Sequence, residues 1–228
     1  MKTIATHQPN YIPWLGYFYK IYQSDIFVFL DDVQFSKKGM HNYHYIKSSE
    51  GPIRIKIPVT HSYYDKINAV KISDGRDWRR DHLKLLETNY KNAPYFQEVY
   101  SDFEKLLVEG PKEMISDLNI TIIEFICNKL GIPYEFKKSS ELNINSVKEE
   151  RIIDICKALD GEVYLSGTGA KAYQEEVNFN NNGLQLKYSE YKIFNYPQQF
   201  GDFQSNVTIL DFLMNCGYDW DSVLKRQQ

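Results

Sequence analysis

Two apolar strand patterns flank one short helical pattern at the start of the chain, and this order restricts the fold more than any other feature. Residues 2–7 predict a strand, residues 14–23 a helix, and residues 25–31 a buried strand rich in β-branched and aromatic side chains. Two strands joined by a helix over so short a length form a right-handed βαβ unit with parallel strands. We therefore expect an α/β fold whose mostly parallel sheet begins with a Rossmann-like or HUP-like βαβ unit.

The rest of the chain predicts a helical insertion between further strands. A strand at 51–60 is expected to form a hairpin with one at 67–73, and residues 75–131 are then mainly helical. Later strands are predicted at 133–140, 162–167 and 184–191, and later helices at 146–159 and 205–217. A capping box of Ser146 and Glu149 would open the first of these helices. Since no linker or repeat interrupts this order, we expect one α/β domain over residues 1–228.

Charge, cysteine content and hydropathy argue against several classes of protein. The net charge of −3 gives no basic surface, so we expect no nucleic-acid partner. The three cysteines show no CxxC or Cys/His spacing, which argues against structural zinc and favours buried thiols in a reducing cytoplasm. The strand pattern begins at Ile4, and no apolar run approaches the ~18 residues of a membrane span. We therefore expect a cytoplasmic protein without a signal peptide.

The loop between the first strand and the first helix is the strongest candidate site. Ligands of open parallel sheets bind outside the carboxyl ends of the strands, where this proline-stiffened loop lies. Its hydrogen-bonding residues are His7, Gln8 and Asn10, and its rings suited to a sugar or a base are Tyr11, Trp14 and Tyr17. Gly16 permits close backbone approach at the helix start, which suits an anion. The alternative is a tight loop whose aromatic side chains belong to the core.

A second polar cluster follows the second strand, at the same expected sheet edge. Its members are Asp31, Asp32, Gln34, Lys37, Lys38, His41, Asn42, His44 and Tyr45. Paired aspartates would hold Mg²⁺ or orient a base, and a lysine would meet phosphate. The alternative is a solvated loop. Since the spacing of His41 and His44 is a weak metal signal, we predict no metal site.

Two later loops repeat these features. Residues 164–174 run from a strand into a glycine turn whose backbone N–H groups would cradle phosphate. The phosphate-binding candidates there are Ser166, Gly167, Thr168, Gly169 and Lys171. Residues 195–206 form a rigid aromatic and amide loop with Tyr196, Pro197, Gln198 and Gln204. The alternative for the first is a tight turn without a ligand.

Taken in order, these loops resemble the WbqC-like family over essentially the whole chain. The resemblance rests on HQPNYIPWLGYF, SDIFVFLDDVQFSKK, NY–AP–F at 89–96, YLSGTGAKAY, YPQQF and SNVTILDFLMNCG. The family is encoded largely among bacterial genes for O-antigen, a part of lipopolysaccharide, and other surface polysaccharides. Its proposed activity is acyl or aminoacyl transfer, for instance of a glycyl group, to the amine of a nucleotide-linked amino sugar. The resemblance therefore implies a transferase whose partners are a nucleotide sugar and an acyl or aminoacyl donor.

On this resemblance we assign expected roles. His7 would be the general base, because the attacking ammonium must lose a proton and histidine titrates near neutrality. Asp32 would orient His7 or bind the sugar amine. The expected substrate-binding residues are Gln8, Asn10, Tyr11, Trp14, Tyr17, Gln34, Lys37, His41, Asn42, Tyr196 and Gln198, and the phosphate-binding ones are Gly16, Ser166, Gly167, Thr168, Gly169 and Lys171. We expect Gln8, Gln34 and Gly167 to converge on one cleft.

The opening segment is also similar to that of pantothenate synthetase and related nucleotidyltransferases. Trp14 to Tyr17 stand where those proteins have an H-x-G-H motif, so the similarity is partial. It would add ATP and Mg²⁺ as cofactors, whereas the WbqC-like resemblance implies none. Two alternatives to the transferase therefore stay open: a non-catalytic protein that binds a nucleotide sugar or glycan, and an ATP-dependent amide-forming ligase. A homo-oligomer is also left open.

Overall fold

A computed structural model describes residues 1–73, 75–172 and 174–228, and this part of the chain contains nine strands and eight α-helices. The strands are β1 Thr3–His7, β2 Ile26–Phe29, β3 Tyr43–Ser48, β4 Gly51–Lys56, β5 Val59–Thr60, β6 Lys71–Ile72, β7 Phe136–Lys138, β8 Val163–Gly167 and β9 Gln185–Ser189. The helices are α1 Leu15–Tyr22, α2 Trp78–Tyr90, α3 Phe96–Glu109, α4 Ile115–Leu130, α5 Lys148–Ala158, α6 Glu176–Asn181, α7 Ile209–Cys216 and α8 Trp220–Gln227. Tyr173, the last residue of the YLSGTGAKAY motif, lies outside the described residues.

Contacts between Cα atoms divide these residues into two compact units. Unit 1 comprises Met1–Pro9, Gly16–Val33 and Ile132–Tyr191. Unit 2 comprises Asn10–Leu15, Gln34–Gly131 and Lys192–Gln228. The expectation of one domain over residues 1–228 stays a prediction.

Unit 1 is built on a five-stranded sheet with the strand order β7-β2-β1-β8-β9. Every neighbouring pair is parallel, which confirms the α/β fold with a parallel sheet. The four residues of β2 are all buried, as its apolar run predicts. A core of apolar side chains from the strands and from α5 and α6 includes Ile4, Val28, Ile155, Cys156 and Phe179. This core holds the strand ends in place.

Unit 2 contains five of the helices and two small antiparallel sheets. The predicted hairpin between residues 51–60 and 67–73 is only partly correct. Val59–Thr60 do pair with Lys71–Ile72, but β4 pairs with β3, which was not predicted. Pro58 separates β4 from β5, since proline cannot donate to a strand ladder. The polar stretch 43–48, taken for part of a loop, is therefore a strand.

The predicted capping box at the start of α5 is also wrong. The Ser146 hydroxyl donates to Asp154 at 2.6 Å, and Glu149 accepts hydrogen bonds from the backbone of Glu175 and the side chain of Asn178. Each of the two side chains is therefore engaged by a partner farther along the chain. Gly131 and Gly217 end α4 and α7 with positive φ, as predicted. No helix among the described residues is long and apolar enough to cross a membrane.

Candidate active site at the sheet switch point

The strand order of unit 1 reverses direction between β1 and β8. From β1 the chain moves through α1 to β2 and later to β7 on one side, whereas β8 and β9 lie on the other side. Parallel sheets bind ligands in the crevice outside the carboxyl ends of the two strands at such a switch point. His7 ends β1 and Gly167 ends β8, so two of the predicted loops begin at this switch point, and we call the ligand position expected there the crevice.

The imidazole of His7 is held in one tautomer. Its Nδ1 lies 3.0 Å from the carbonyl oxygen of Gln8, and because a carbonyl only accepts, Nδ1 carries the proton. In the neutral ring the lone pair is then on Nε2. The hydroxyl of Tyr17 donates to the same carbonyl at 2.9 Å, and its ring meets the His7 ring edge-on at a centroid distance of 4.7 Å. Tyr17 is buried and so positions His7, where sequence reasoning had predicted stacking on the substrate.

The carboxylates after β2 are engaged within unit 1. Arg151 on α5 donates through Nη2 to both oxygens of Asp32, at 2.7 and 2.6 Å, and the hydroxyl of Ser139 donates to Asp32 as well. Asp31 accepts from the backbone N–H and the hydroxyl of Ser140. These contacts tie the end of β2 to the turn after β7. Asp32 thus has a guanidinium partner that the sequence did not suggest.

The turn after β8 is open. Gly167 has φ −79° and ψ 148°, a conformation that any residue adopts, and a one-turn 3-10 helix follows at Thr168–Ala170. A Cβ built on Gly167 or on Gly169 would meet no atom within 4 Å. Neither backbone strain nor local packing therefore requires glycine at these two positions. Close approach of a ligand to the backbone would explain why both residues are glycine.

The other predicted phosphate-binding residues differ in exposure. Ser166 is buried, and its hydroxyl lies 3.4 Å from the carbonyl oxygen of Gly167. Lys171 forms an exposed ion pair with Glu190, which follows β9, at 2.9 Å. Gly16 is buried in the first turn of α1. Of these three, Ser166 and Lys171 both lie next to the glycine turn.

Several predicted substrate residues belong to unit 2 and lie in its interior. The Tyr11 hydroxyl donates to Nδ1 of His82 at 2.9 Å, while Nε2 of His82 faces the carbonyl of Lys56. The side chain of Asn42 donates to the carbonyl of Ile57. The His41 ring is buried, and burial lowers its pKa to about 4. Asn10 is also buried, Trp14 is half-buried, and Gln34 and Lys37 are exposed.

Tyr196 and Gln198 converge on a buried carboxylate in unit 2. Asp211 on α7 accepts hydrogen bonds from the hydroxyls of Tyr90 and Tyr196, both at 2.9 Å, and from Nε2 of Gln198 at 2.7 Å. Burial raises the pKa of Asp211, and the three donors lower it in part. Lys47 donates to Gln198 at 3.1 Å. The loop at 195–206 is thus fastened to α7 by a polar network that the sequence alone did not reveal.

The structure therefore brings one subset of the predicted site together. His7, Gln8, Tyr17 and the glycine turn at 167–169 lie at the carboxyl ends of the neighbouring strands β1 and β8 in unit 1. Gln34 belongs to unit 2, so its convergence with Gln8 and Gly167 stays a prediction. Cys156 is in the core of unit 1, where burial raises its pKa to about 12. A thiol of that pKa is a poor nucleophile at neutral pH.

Comparison with known proteins identifies the family of the chain. The model of the WbqC-like protein family matches residues 8–222, which is nearly the whole chain. The chain belongs to the WbqC-like family. It is also similar to a protein of Mycobacterium tuberculosis (strain ATCC 25618 / H37Rv) named "Uncharacterized protein Rv1507c", with 33% identity over 228 residues that cover 99% of this chain and 98% of that protein. No solved structure matches the chain significantly.

Membership confirms the resemblance that the loop motifs carry. The matched region begins at Gln8 and includes the loop that positions His7, the carboxylates after β2 and the glycine turn after β8. The WbqC-like sequence motifs thus include the residues that follow β1, β2 and β8 in unit 1.

Proposed function

We propose that the protein transfers an acyl or aminoacyl group, such as glycyl, to the amine of a nucleotide-linked amino sugar for surface polysaccharide synthesis. Membership of the WbqC-like family supports the pathway, and the crevice in unit 1 supports the chemistry. The single observation that carries the proposal is the His7 ring, which Gln8 holds in the Nδ1–H tautomer at the switch point, across from an open glycine turn.

The reaction needs one base and one place for the sugar phosphates. The sugar amine attacks the carbonyl carbon of an activated donor such as a thioester, so that a C–N bond forms and the C–S bond breaks. Nε2 of His7 accepts the proton that the attacking nitrogen loses and then returns it to the departing thiolate. The backbone N–H groups near Gly167 and Gly169 donate hydrogen bonds to the phosphate oxygens. Tyr17 keeps the imidazole oriented throughout.

The decisive experiment follows product mass. We would incubate the protein with nucleotide-linked amino sugars and either aminoacyl or acyl thioesters, and expect the sugar nucleotide to gain the mass of one acyl group. His7→Asn should lower the rate at least a hundredfold, since general-base catalysis contributes roughly 10²–10⁴-fold. His61→Asn, which changes a half-buried histidine outside the candidate site, is the matched control and should keep the rate. An unchanged mass with every pairing would refute the transferase.

One observation favours a non-catalytic binder as the second candidate. The carboxylate expected to assist His7, Asp32, is engaged by Arg151. In that case the crevice would bind a sugar nucleotide without turnover. Calorimetry would then detect binding, and the mass assay would show no product.

Addition of ATP and free amino acids tests the third possibility, the amide-forming ligase. Such a ligase would release pyrophosphate or phosphate only when ATP is present.

A further inference from the structure

A buried lysine of unit 1 contacts the backbone near the carboxyl end of β1. Lys20 on α1 is 6% exposed, and its Nζ donates to the carbonyl oxygen of Thr6 at 2.9 Å. Among the described residues no carboxylate forms an ion pair with it. Buried ammonium groups are almost always paired, because removal of the charge from water is costly. The charged form of Lys20 would therefore be stabilised by an anion that binds next to it.

The position of Nζ follows from the strand register. The carbonyl of His7 accepts from the backbone of Leu30, so it faces β2, and the preceding carbonyl, that of Thr6, faces β8. The paired residues of β1 and β8 end at Ala5 and Leu165. The Thr6 carbonyl thus lies just past the last pair, where the two strands reach the switch point. Lys20 on α1 therefore places its amine at that end of β1.

We propose that Lys20 is the resident cation that binds a phosphate group of a nucleoside diphosphate seated between the ends of β1 and β8. Two of its three N–H donors remain for oxygen atoms other than that of Thr6. The glycine turn at 167–169 offers backbone N–H groups and open space on the β8 side of the same crevice. Burial lowers the pKa of Lys20 to about 7, and an arriving anion restores the charged form.

This inference names the cation that binds the diphosphate, and it rests on the proposed function for the nucleotide-linked ligand. It does not require acyl transfer, because the diphosphate is held in the same way in an enzyme and in a binder. A phosphate rather than a carboxylate is favoured because the site combines a buried ammonium with several backbone N–H groups, which suit an anion with three acceptor oxygens.

Calorimetric titration with uridine diphosphate, inorganic pyrophosphate and acetate tests the inference. We expect the two phosphates to bind and acetate not to bind. Lys20→Met, which keeps the apolar stem without the charge, should weaken uridine diphosphate binding at least tenfold. Lys187→Met removes an exposed lysine from β9 of the same unit and should stay within twofold of the wild type. Equal affinity of folded Lys20→Met and wild type would overturn the assignment, as would wild type that binds neither phosphate at millimolar concentration.

A second measurement on the wild-type chain covers the case in which Lys20→Met does not fold. Uridine diphosphate should slow acetylation of Lys20 by acetic anhydride several-fold, measured by peptide mass spectrometry, and leave Lys187 unaffected. Equal acetylation rates at Lys20 with and without the nucleotide would overturn the assignment. Protein that binds the nucleotide through Lys20 but transfers no acyl group would sustain this inference and refute the proposed transferase.

Discussion

Asp32 and Arg151 are 119 positions apart in the chain, and both carboxylate oxygens of Asp32 accept from the same guanidinium nitrogen, at 2.7 and 2.6 Å. The two side chains are only 12% and 13% exposed. Arg151 also donates to the carbonyl of Ile144 at 2.8 Å, which fixes the start of α5 beside the end of β2. The pair is thus part of the frame around the crevice.

Loss of this arginine should be strongly destabilising. Arg151→Met removes the guanidinium from a nearly buried carboxylate, so we expect the free energy of unfolding to fall by about 3 kcal/mol in urea titrations. Arg76→Met, which breaks a pair with 78% of the arginine side chain exposed, should cost less than about 1 kcal/mol. The double variant Asp32→Asn with Arg151→Met should recover part of the loss. Equal stabilities of Arg151→Met and Arg76→Met would contradict the structural role of the pair.

The hydroxyl of Tyr17 should matter more for turnover than for folding. Tyr17→Phe removes one of two donors to the Gln8 carbonyl, and we expect about a tenfold fall in kcat with little change in KM. Tyr164→Phe is the matched control, since it removes a buried hydroxyl bonded to Thr6 instead. Both variants should lose about 1 kcal/mol of stability.

The ¹⁵N shifts of His7 give an independent test of the same contact. They should report the Nδ1–H form in the wild type and also in Tyr17→Phe, because the Gln8 carbonyl that accepts from Nδ1 is present in both proteins. A wild-type protein with the proton on Nε2 would rule out the proposed base.

Alanine at the glycine turn should separate binding from stability. Gly167→Ala and Gly169→Ala have room for the methyl group, so thermal melting should change little, whereas the methyl group should weaken nucleotide binding several-fold. Gly183→Ala is the opposite control: its φ of +74° disfavours alanine, so it should lose about 1 kcal/mol and bind normally. Gly167→Ala with unaltered affinity would mean that no ligand approaches that backbone.

Three buried histidines should make the protein sensitive to mild acid. Burial lowers the pKa of His41, His44 and His82 from 6.5 to about 4. Between these pH values the unfolded chain binds protons that the folded chain does not, so stability decreases as the pH falls from 6.5 to 4, by up to roughly 3 kcal/mol for each ring.

Urea titrations at pH 7, 5.5 and 4.5 should show this loss. His44→Asn removes one of the three rings, so its stability should depend less steeply on pH than that of the wild type. Parallel pH dependences for the two proteins would show that His44 is already protonated in the fold or exposed.

Local sequence patterns predicted several elements of both units, because each of these patterns is complete within one segment of the chain. The apolar run of β2 and the glycines after α4 and α7 needed no distant partner to be recognised. β3 was missed for the opposite reason: its buried side chains include His44 and Lys47, whose polarity is typical of a loop. Lys47 is buried because Gln198 and the carbonyl of Asp202 accept its hydrogen bonds.

Part of the candidate site was also predictable from the sequence, and part was not. His7 and the glycine turn stood out because strand ends followed by polar or glycine residues are visible in one segment. The roles of Tyr17, Lys20 and Arg151 were not visible, since each depends on an atom of another segment. A single sequence records which residues are present at a strand end but not which side chains reach it from elsewhere.

The order of the segments in the two units has a consequence for dissecting the molecule. Unit 1 takes its residues from three stretches of the chain, and unit 2 takes its own from the stretches between and after them, including the short Asn10–Leu15. No start or stop codon placed anywhere in the gene would yield one complete unit without a piece of the other. Synthesis on the ribosome must therefore reach β9 before the five-stranded sheet can form, and it must continue through Lys192–Gln228 before unit 2 has all the segments described for it.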